Sequence, residues 1–361
     1  MSLATTNYLT PTGREEAWRF TPLSRLGGLH DSSIALVDRP SLIAQSLPAG
    51  TSMSLENSAD YPLRTQTEDH ISLRVSEAVS QVSVLRISAH NELQEPIFLN
   101  RNCSGLEAEA SRLLILVGSH AHATVVISNM GQSILGEDIE IILEDGANLR
   151  FITLQEWETG SVHAARHHAV IAKDATFTSY VITVGGSVVR LLPTVEYTGP
   201  GSSAELNGLY FATDGQHLEH RVHVEHDCPN AKSRVNYKGA LAGDLARTVW
   251  IGDVFIKAAA QGTDTYELNR NLLLTDGARA DSVPNLEIET GDIVGAGHAS
   301  TTGRFDDEQL FYLESRGIPA EEARRLVIRG FFAEIVSKLH LSEVEERIMA
   351  RIDKELSEVA Q

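Results

Sequence analysis

Between residues 71 and 302 the chain is a succession of short apolar or alternating runs. ISLRV, QVSVLRI, RLLILV, ATVVI, IEIIL, RFITL, FTSYVITV, VWIGDVFI, NRNLLL and NLEIE each have strand length, and Gly, Asp, Asn or Ala turns separate them. No long helical pattern interrupts them. That excludes Rossmann and barrel α/β folds, which place a helix of about 10–15 residues between successive strands. Gly118, Gly146, Asp174 and Gly201 recur 28, 28 and 27 residues apart, each beside a strand-like run. Such a period predicts a mainly β solenoid, a β-helix whose stacked coils bury a continuous core. The period drifts after 201, and a β-sandwich, single or in tandem, is the competing arrangement.

The flanks have other rhythms. Residues 1–70 read as an irregular, partly helical cap: Arg14–Phe20 opens a short helix that Pro22 ends, and Pro40, Pro48 and Pro62 break up the rest of this stretch. After 303 the period becomes helical. Phe305, Leu310, Phe311 and Leu313 lead to a stop near Gly317. Pro319 then starts a helix at its first position, with Glu321 and Glu322 in the first turn. Its apolar face is Val327, Phe331, Ile335 and Leu339. Ser342 and Glu345 form a capping-box signature for a last helix with the face Val344, Ile348, Ile352, Leu356 and Val359. Faces of this kind must be buried, either on the β body or on a partner.

Composition narrows the function classes. Of 361 residues, 42% are hydrophobic, enough for a sizeable core, and 30 Lys+Arg against 49 Asp+Glu give a net charge of -19. So acidic a surface repels nucleic-acid backbones and anionic membranes. Cys103 and Cys228 are too few for a disulfide scaffold or an all-cysteine metal site, which points to a reducing compartment. With no signal-like start and no apolar run of about 18 residues, the chain is expected in the cytoplasm.

Several enzyme chemistries lack their motifs. None of the six lysines sits in a G-K-[ST] context, and neither H-E-x-x-H nor G-x-S-x-G occurs. Gly291, Gly295 and Gly297 follow a strand but precede no helix, so they read as solenoid turns rather than a phosphate loop. Histidines supply the remaining candidates. In an extended strand, His220, Val222, Val224 and His226 share one face, while His217, Glu219, Arg221, His223 and Glu225 share the other. Two imidazoles with Glu219 or Glu225 suit zinc or iron, and a wet strand face paired with Arg221 is the alternative. His163, His167 and His168 read as a solvated loop, and His120 with His122 as a pair on one strand face. His298 follows Gly295, Ala296 and Gly297, so little bulk shields its ring, which can ligate a metal, carry a proton or simply pack.

Residues 262–318, from GTDTYELNRNLLLTDG to DEQLFYLESRGI, resemble the SufB/SufD family of iron–sulfur cluster assembly proteins. YKGAL (237–241), ARTVWIG (246–252), HDCPNAKS (226–233) and EEAWRFTPL (15–23) extend the likeness. It implies a right-handed parallel β-helix over 71–302, with a cap over 1–70 and helices over 303–361. It further implies a non-catalytic scaffold subunit that pairs with SufB through the β-helix and docks a separate ATPase, SufC, on the carboxy-terminal helices through Val327, Phe331 and Ile335. Ala278 stands where SufB-like chains carry an essential cysteine. His298 in AGHASTTG matches the histidine kept by SufD-like chains, so the likeness favours that branch. Many of those chains also carry a cysteine where this one has Ala296. The resemblance thus makes His298 a candidate ligand for iron or a transient iron–sulfur cluster shared with SufB, with no nucleotide bound by this chain. Self-pairing of the isolated chain stays open. The rivals are a carbohydrate-active β-helix enzyme, which needs converging carboxylates, and a purely structural subunit with an inert His298.

Overall fold

A computed structural model describes residues 10–39, 41–63, 69–305 and 307–359. The expectation at Pro40 lies outside these residues, as do the side chains of Leu310 and Val359. Three short pieces come first: β1 (Val37–Asp38), β2 (Ile43–Ala44) and β3 (Thr51–Asn57). Helix α1 (His70–Ala78) is next in the chain, and then β4 (Gln81–Ile87), β5 (Ile97–Val117) and β6 (His122–Leu143). Next come β7 (Asn148–Trp157), β8 (Val162–Ile171), β9 (Thr176–Thr183), β10 (Val188–Tyr197), β11 (Ser203–Ala212) and β12 (His217–His226). The solenoid closes with β13 (Lys232–Leu241), β14 (Arg247–Ile256), β15 (Thr263–Leu273), β16 (Arg279–Ile288) and β17 (Ile293–Arg304). Helices α2 (Asp307–Ser315), α3 (Ala320–Val336) and α4 (Ser342–Val359) end the chain.

These strands form a parallel β-solenoid of about 8 turns. Each strand from β8 to β15 pairs in parallel with the strands two before and two after it, so one wall holds the even-numbered strands and the facing wall the odd-numbered. The drift of the sequence period is a lengthening of the coil. Val188 pairs with Val162, 26 residues back, and with His217, 29 ahead; Lys232 pairs with Asp264, 32 ahead.

A ladder of left-handed corners sets the period. His120, Gly146, Asp174, Gly201, Asn230 and Gly262 all have φ between 56° and 75°. Such a φ is tolerated by Gly and, at a modest cost, by Asn, Asp or His. Gly118 does not belong to this ladder; its corner is made by His120.

The run ISLRV is helical, against the strand expectation. Asp69 caps α1 by accepting from Ser72 N at 3.0 Å, and Ile71 and Val75, four apart, face the β body together. Gly317, with φ 85°, ends α2 as expected: Ile318 N bonds Leu313 O and Gly317 N bonds Glu314 O. Pro319 sits one position earlier than expected, as the cap of α3. Glu345 reaches back to Leu341 N, so that cap also shifts by one.

The three largest apolar clusters among the described residues form layers. The largest fills the space between the walls and includes Phe151, Val181, Leu191, Leu206, Tyr237 and Trp250. On the outside of the odd-numbered wall, Ile152, Tyr180, Leu209 and Phe211 meet Ile328, Phe332, Ile335, Leu339, Ile348 and Ile352 of the carboxy-terminal helices. Outside the even-numbered wall, Trp18, Leu26, Leu29 and α1 cover Val162, Ala164 and Val188. With both faces of many strands covered, their sequences read as near-continuous apolar runs.

The two ends of the solenoid differ. At the amino-terminal end, β3 lies antiparallel on β4 over seven register pairs. At the other end, no described strand pairs with the outer edges of β16 and β17.

Candidate functional site

Alternation along the strands turns a series of polar residues into the solenoid. Near the start, Arg101 pairs with Glu137 and donates to Asn129 Oδ1 at 2.7 Å, and Asn129 Nδ2 donates to Gln155 Oε1 at 2.8 Å. Further along, Tyr210 Oη donates to Asn271 Oδ1 at 2.8 Å, and Asn271 Nδ2 to Asn269 Oδ1 at 2.7 Å. Ser282 Oγ donates to Asn269 at 2.9 Å, and Ser300 Oγ to Ser282 at 2.7 Å. Ser300 lies two residues beyond His298 on β17, hence on the same strand face.

His298 is directly opposite Glu267 in the β15–β17 register. Its ring is 44% exposed at the uncapped end, with Nδ1 3.7 Å from Glu267 Oε1. Glu267 itself is 1% exposed, and neither carboxylate oxygen has a hydrogen-bond partner. Gly252 is what makes room: a Cβ there would collide with Glu267 Oε2. Burial, helped by Asp253, pushes the Glu267 pKa up to about 8.

The other buried glutamates are compensated. Glu109 has Arg39, Glu140 has Arg112, Glu355 has Arg351, and Glu219 has Arg190 and Arg221, both at 3.5 Å. Burial raises the Glu137 pKa, but Arg101 and His163 more than reverse this and hold it far below the usual carboxylate range. Burial likewise raises Glu219, while His217, Arg190 and Arg221 bring it down to about 2. Of the six buried glutamates, Glu267 alone has no arginine among the described residues. Sequence reading passed over it. The available signal was its place among Thr265, Asn269 and Asn271 on one strand face, as the single ionisable group.

The remaining histidines separate. The alternation expected in β12 holds, but the imidazoles go to different tasks. His220 stacks on Tyr210 and lies 3.0 Å from Thr183 Oγ1. His226 stacks on Tyr197. His217 contacts Glu219 at 3.2 Å, and His223 sits outside near Glu225 at 3.7 Å. The solvated-loop expectation for His163, His167 and His168 is overturned, because they lie on β8, buried along its whole length. The amino-terminal cap covers its outer face, a long-range contact with no local sequence signal. His163 lies 3.3 Å from Glu137, His168 2.8 Å from Thr194, and His167 has no partner at either nitrogen. Burial lowers His167 to about 4 and His220 to about 3. His120 occupies a corner, stacked on His90, rather than sharing a strand face with His122.

No group of three or more His, Cys, Asp or Glu gathers as a metal cage among the described residues. Cys103 and Cys228 are half-buried, and burial pushes both thiols up. Ala278 is buried, and the Gly295–Gly297 stretch is strand rather than turn. The interior carboxylates Glu137 and Glu267 lie on β6 and β15, coils apart, so they do not form the facing acid pair of glycoside hydrolysis.

The expected docking face is rotated. Ile335 is fully buried on the β body, while Val327 and Phe331 are half-buried. Arg150 and Tyr180 hold the carbonyls of Leu339 and Lys338, and Lys238 bonds Phe331 O at 2.9 Å and Glu334 at 2.7 Å. The exposed apolar side chains here are Phe311, Tyr312 and Leu326. No described helix is long and apolar enough to cross a membrane.

Residues 98–331 match the family model described as SUF system FeS cluster assembly, SufBD core domain. An iron–sulfur cluster assembly SufBD family protein of Mycobacterium tuberculosis is 46% identical over 361 residues, covering 96% of this chain and 89% of the relative. The SufD protein of Escherichia coli is 28% identical over 380 residues, covering 96% and 89%. A second SufBD family protein of M. tuberculosis is 28% identical over 251 residues, 70% of this chain and 29% of that relative.

Proposed function

This chain belongs to the SufBD family of iron–sulfur cluster assembly proteins, and from that premise we propose that it is the SufD-like, non-catalytic subunit of an assembly scaffold. It pairs with a SufB-type subunit through the uncapped end of the solenoid and docks a SufC-type ATPase on its carboxy-terminal helices. Iron or a transient iron–sulfur cluster is the cargo of the interface, and His298 is a ligand.

The uncapped end carries this reading. Strands of 10 and 12 residues present free edges there. Ile288 on β16 and Val294 on β17, the latter 75% exposed, are apolar side chains on these two end strands. Edges of this length invite another chain unless something covers them. With Ala278 and Ala296 in place of thiols, a cluster needs sulfur ligands from elsewhere, because iron–sulfur centres are held chiefly by cysteine. ATPase docking draws its support from Phe311, 71% exposed, and Tyr312 on α2. The corrected patch is therefore α2 with Leu326, instead of Ile335.

Co-expression of the tagged chain with SufB- and SufC-type subunits tests both contacts. Ile288→Asp with Val294→Asp is expected to lose the SufB-type subunit and keep the ATPase, and Phe311→Ala with Tyr312→Ala to do the reverse. Recovery of both subunits by both variants refutes the proposed surfaces. His298→Ala is expected to leave the complex intact and abolish cluster formation; normal cluster formation makes His298 inert.

A further inference from the structure

We propose that Glu267 is a second metal ligand beside His298, so that this chain contributes a carboxylate–imidazole half-site for a divalent first-row ion. The inference rests on the functional reading above and specifies what the chain itself brings. Two donors bound to one ion at about 2.0–2.1 Å and a tetrahedral angle are about 3.3 Å apart. Glu267 Oε1 and His298 Nδ1 are 3.7 Å apart, a gap that a small side-chain rotation closes. Both side chains project from register partners of adjacent coils, so the backbone ladder fixes their spacing.

The second observation is the state of the carboxylate. Glu267 is buried, bare of hydrogen bonds and aimed at the one imidazole it meets. A buried acid in that condition costs free energy that a bound cation returns. Gly252 keeps clear the volume Oε2 occupies, and neither Ala296 nor Ala278 offers sulfur. Nitrogen and oxygen donors together suit ferrous iron, cobalt or zinc and leave coordination positions open for outside ligands. The half-site thus belongs to the iron side of assembly, not to the sulfur side.

Cobalt(II) added anaerobically to the full-length chain reads the site by its ligand-field absorption. One site per chain is expected, lost in His298→Ala and weakened at least tenfold in Glu267→Gln. A residue acting only behind His298 also weakens a site, by about 10–100-fold, so ligation needs its own signature. Glu267→Cys supplies it: cobalt bound there shows a thiolate charge-transfer band in the near-ultraviolet, absent from the unchanged chain and from the Glu267→Cys, His298→Ala double variant. The proposal falls if the unchanged chain binds no cobalt, if Glu267→Gln binds as tightly, or if Glu267→Cys gives no such band. Recovery of the SufB-type subunit is a separate readout, so loss of pairing with intact cobalt binding counts against the scaffold reading alone.

Discussion

Replacing His167 by Leu should make the protein less sensitive to acid without weakening it near neutrality. His167 packs edge-on against Phe151, and neither ring nitrogen has a hydrogen-bond partner. Leucine therefore breaks no hydrogen bond and removes a buried unsatisfied group, a gain of about 1–3 kcal/mol before any loss of packing. Burial has lowered the imidazole pKa to about 4 from an ordinary 6.5. The unfolded chain consequently binds more protons between those values; the full stability is present above about pH 6.5 and drains away as the pH falls towards 4. Near pH 5 the unfolded imidazole is almost fully protonated while the folded one is not, and the penalty is about 2 kcal/mol. Urea unfolding of the unchanged chain and of His167→Leu, followed by Trp157 and Trp250 fluorescence, measures the difference near pH 7.5 and near pH 5. The variant's advantage should widen by about 2 kcal/mol on acidification. An advantage that stays within about 0.5 kcal/mol refutes the buried, neutral assignment.

Glu267→Gln should show the opposite sign. With a folded pKa raised to about 8, Glu267 favours the native state below about pH 4.5 and loses that contribution as the pH rises through 8, so the variant gains about 3 kcal/mol on going from about pH 5 to 7.5. Equal pH dependence of the two proteins in the same unfolding assay would contradict the burial. Arg101→Met leaves Glu137 as an interior charge with only His163 beside it and should cost about 3–5 kcal/mol, most of it restored by adding Glu137→Gln. Thermal unfolding that finds the double variant as weak as the single one removes the pair from the account. Phe332→Ala takes a fully buried ring from between α3 and the odd-numbered wall, at about 3–5 kcal/mol. Hydrogen exchange should then rise in residues 320–359 before it rises in β9 or β11, and a uniform rise would count against a separable helical layer.

The features legible in the sequence are those that short-range periodicity can encode. Strand-length runs and recurring corner residues gave the solenoid, because a fixed coil demands a left-handed residue once per turn, and Gly146, Asp174 and Gly201 supply it. ISLRV misled because five apolar-rich residues fit either period, and the deciding feature was the cap at Asp69 just before it. The histidines of β8 misled for another reason. His163 and His167 are buried inside the solenoid, against Trp157 and Phe151, while the amino-terminal cap covers the opposite face of the strand, and local polarity carries no trace of that closure. The first half of the α3 face is displaced by one position: a strict spacing of four picks Val327 and Phe331, whereas the helix at 3.6 residues per turn turns Ile328 and Phe332 onto the sheet. Ile335 and Leu339 are buried there as expected.

His298 and Glu267 show where each kind of reading stops. Spacing and small neighbours singled out His298, and resemblance gave it a role, but its partner became visible only when the register set strand against strand. Once the register is known, charge bookkeeping takes over. Glu109, Glu137, Glu140, Glu219 and Glu355 are each buried beside an arginine of this chain. Glu267 is the exception, and it lies against the last strand at the end that no described strand covers. A fold that sets five such groups beside an arginine and leaves the sixth bare, at the end no described strand covers, leaves any partner for it to come from outside.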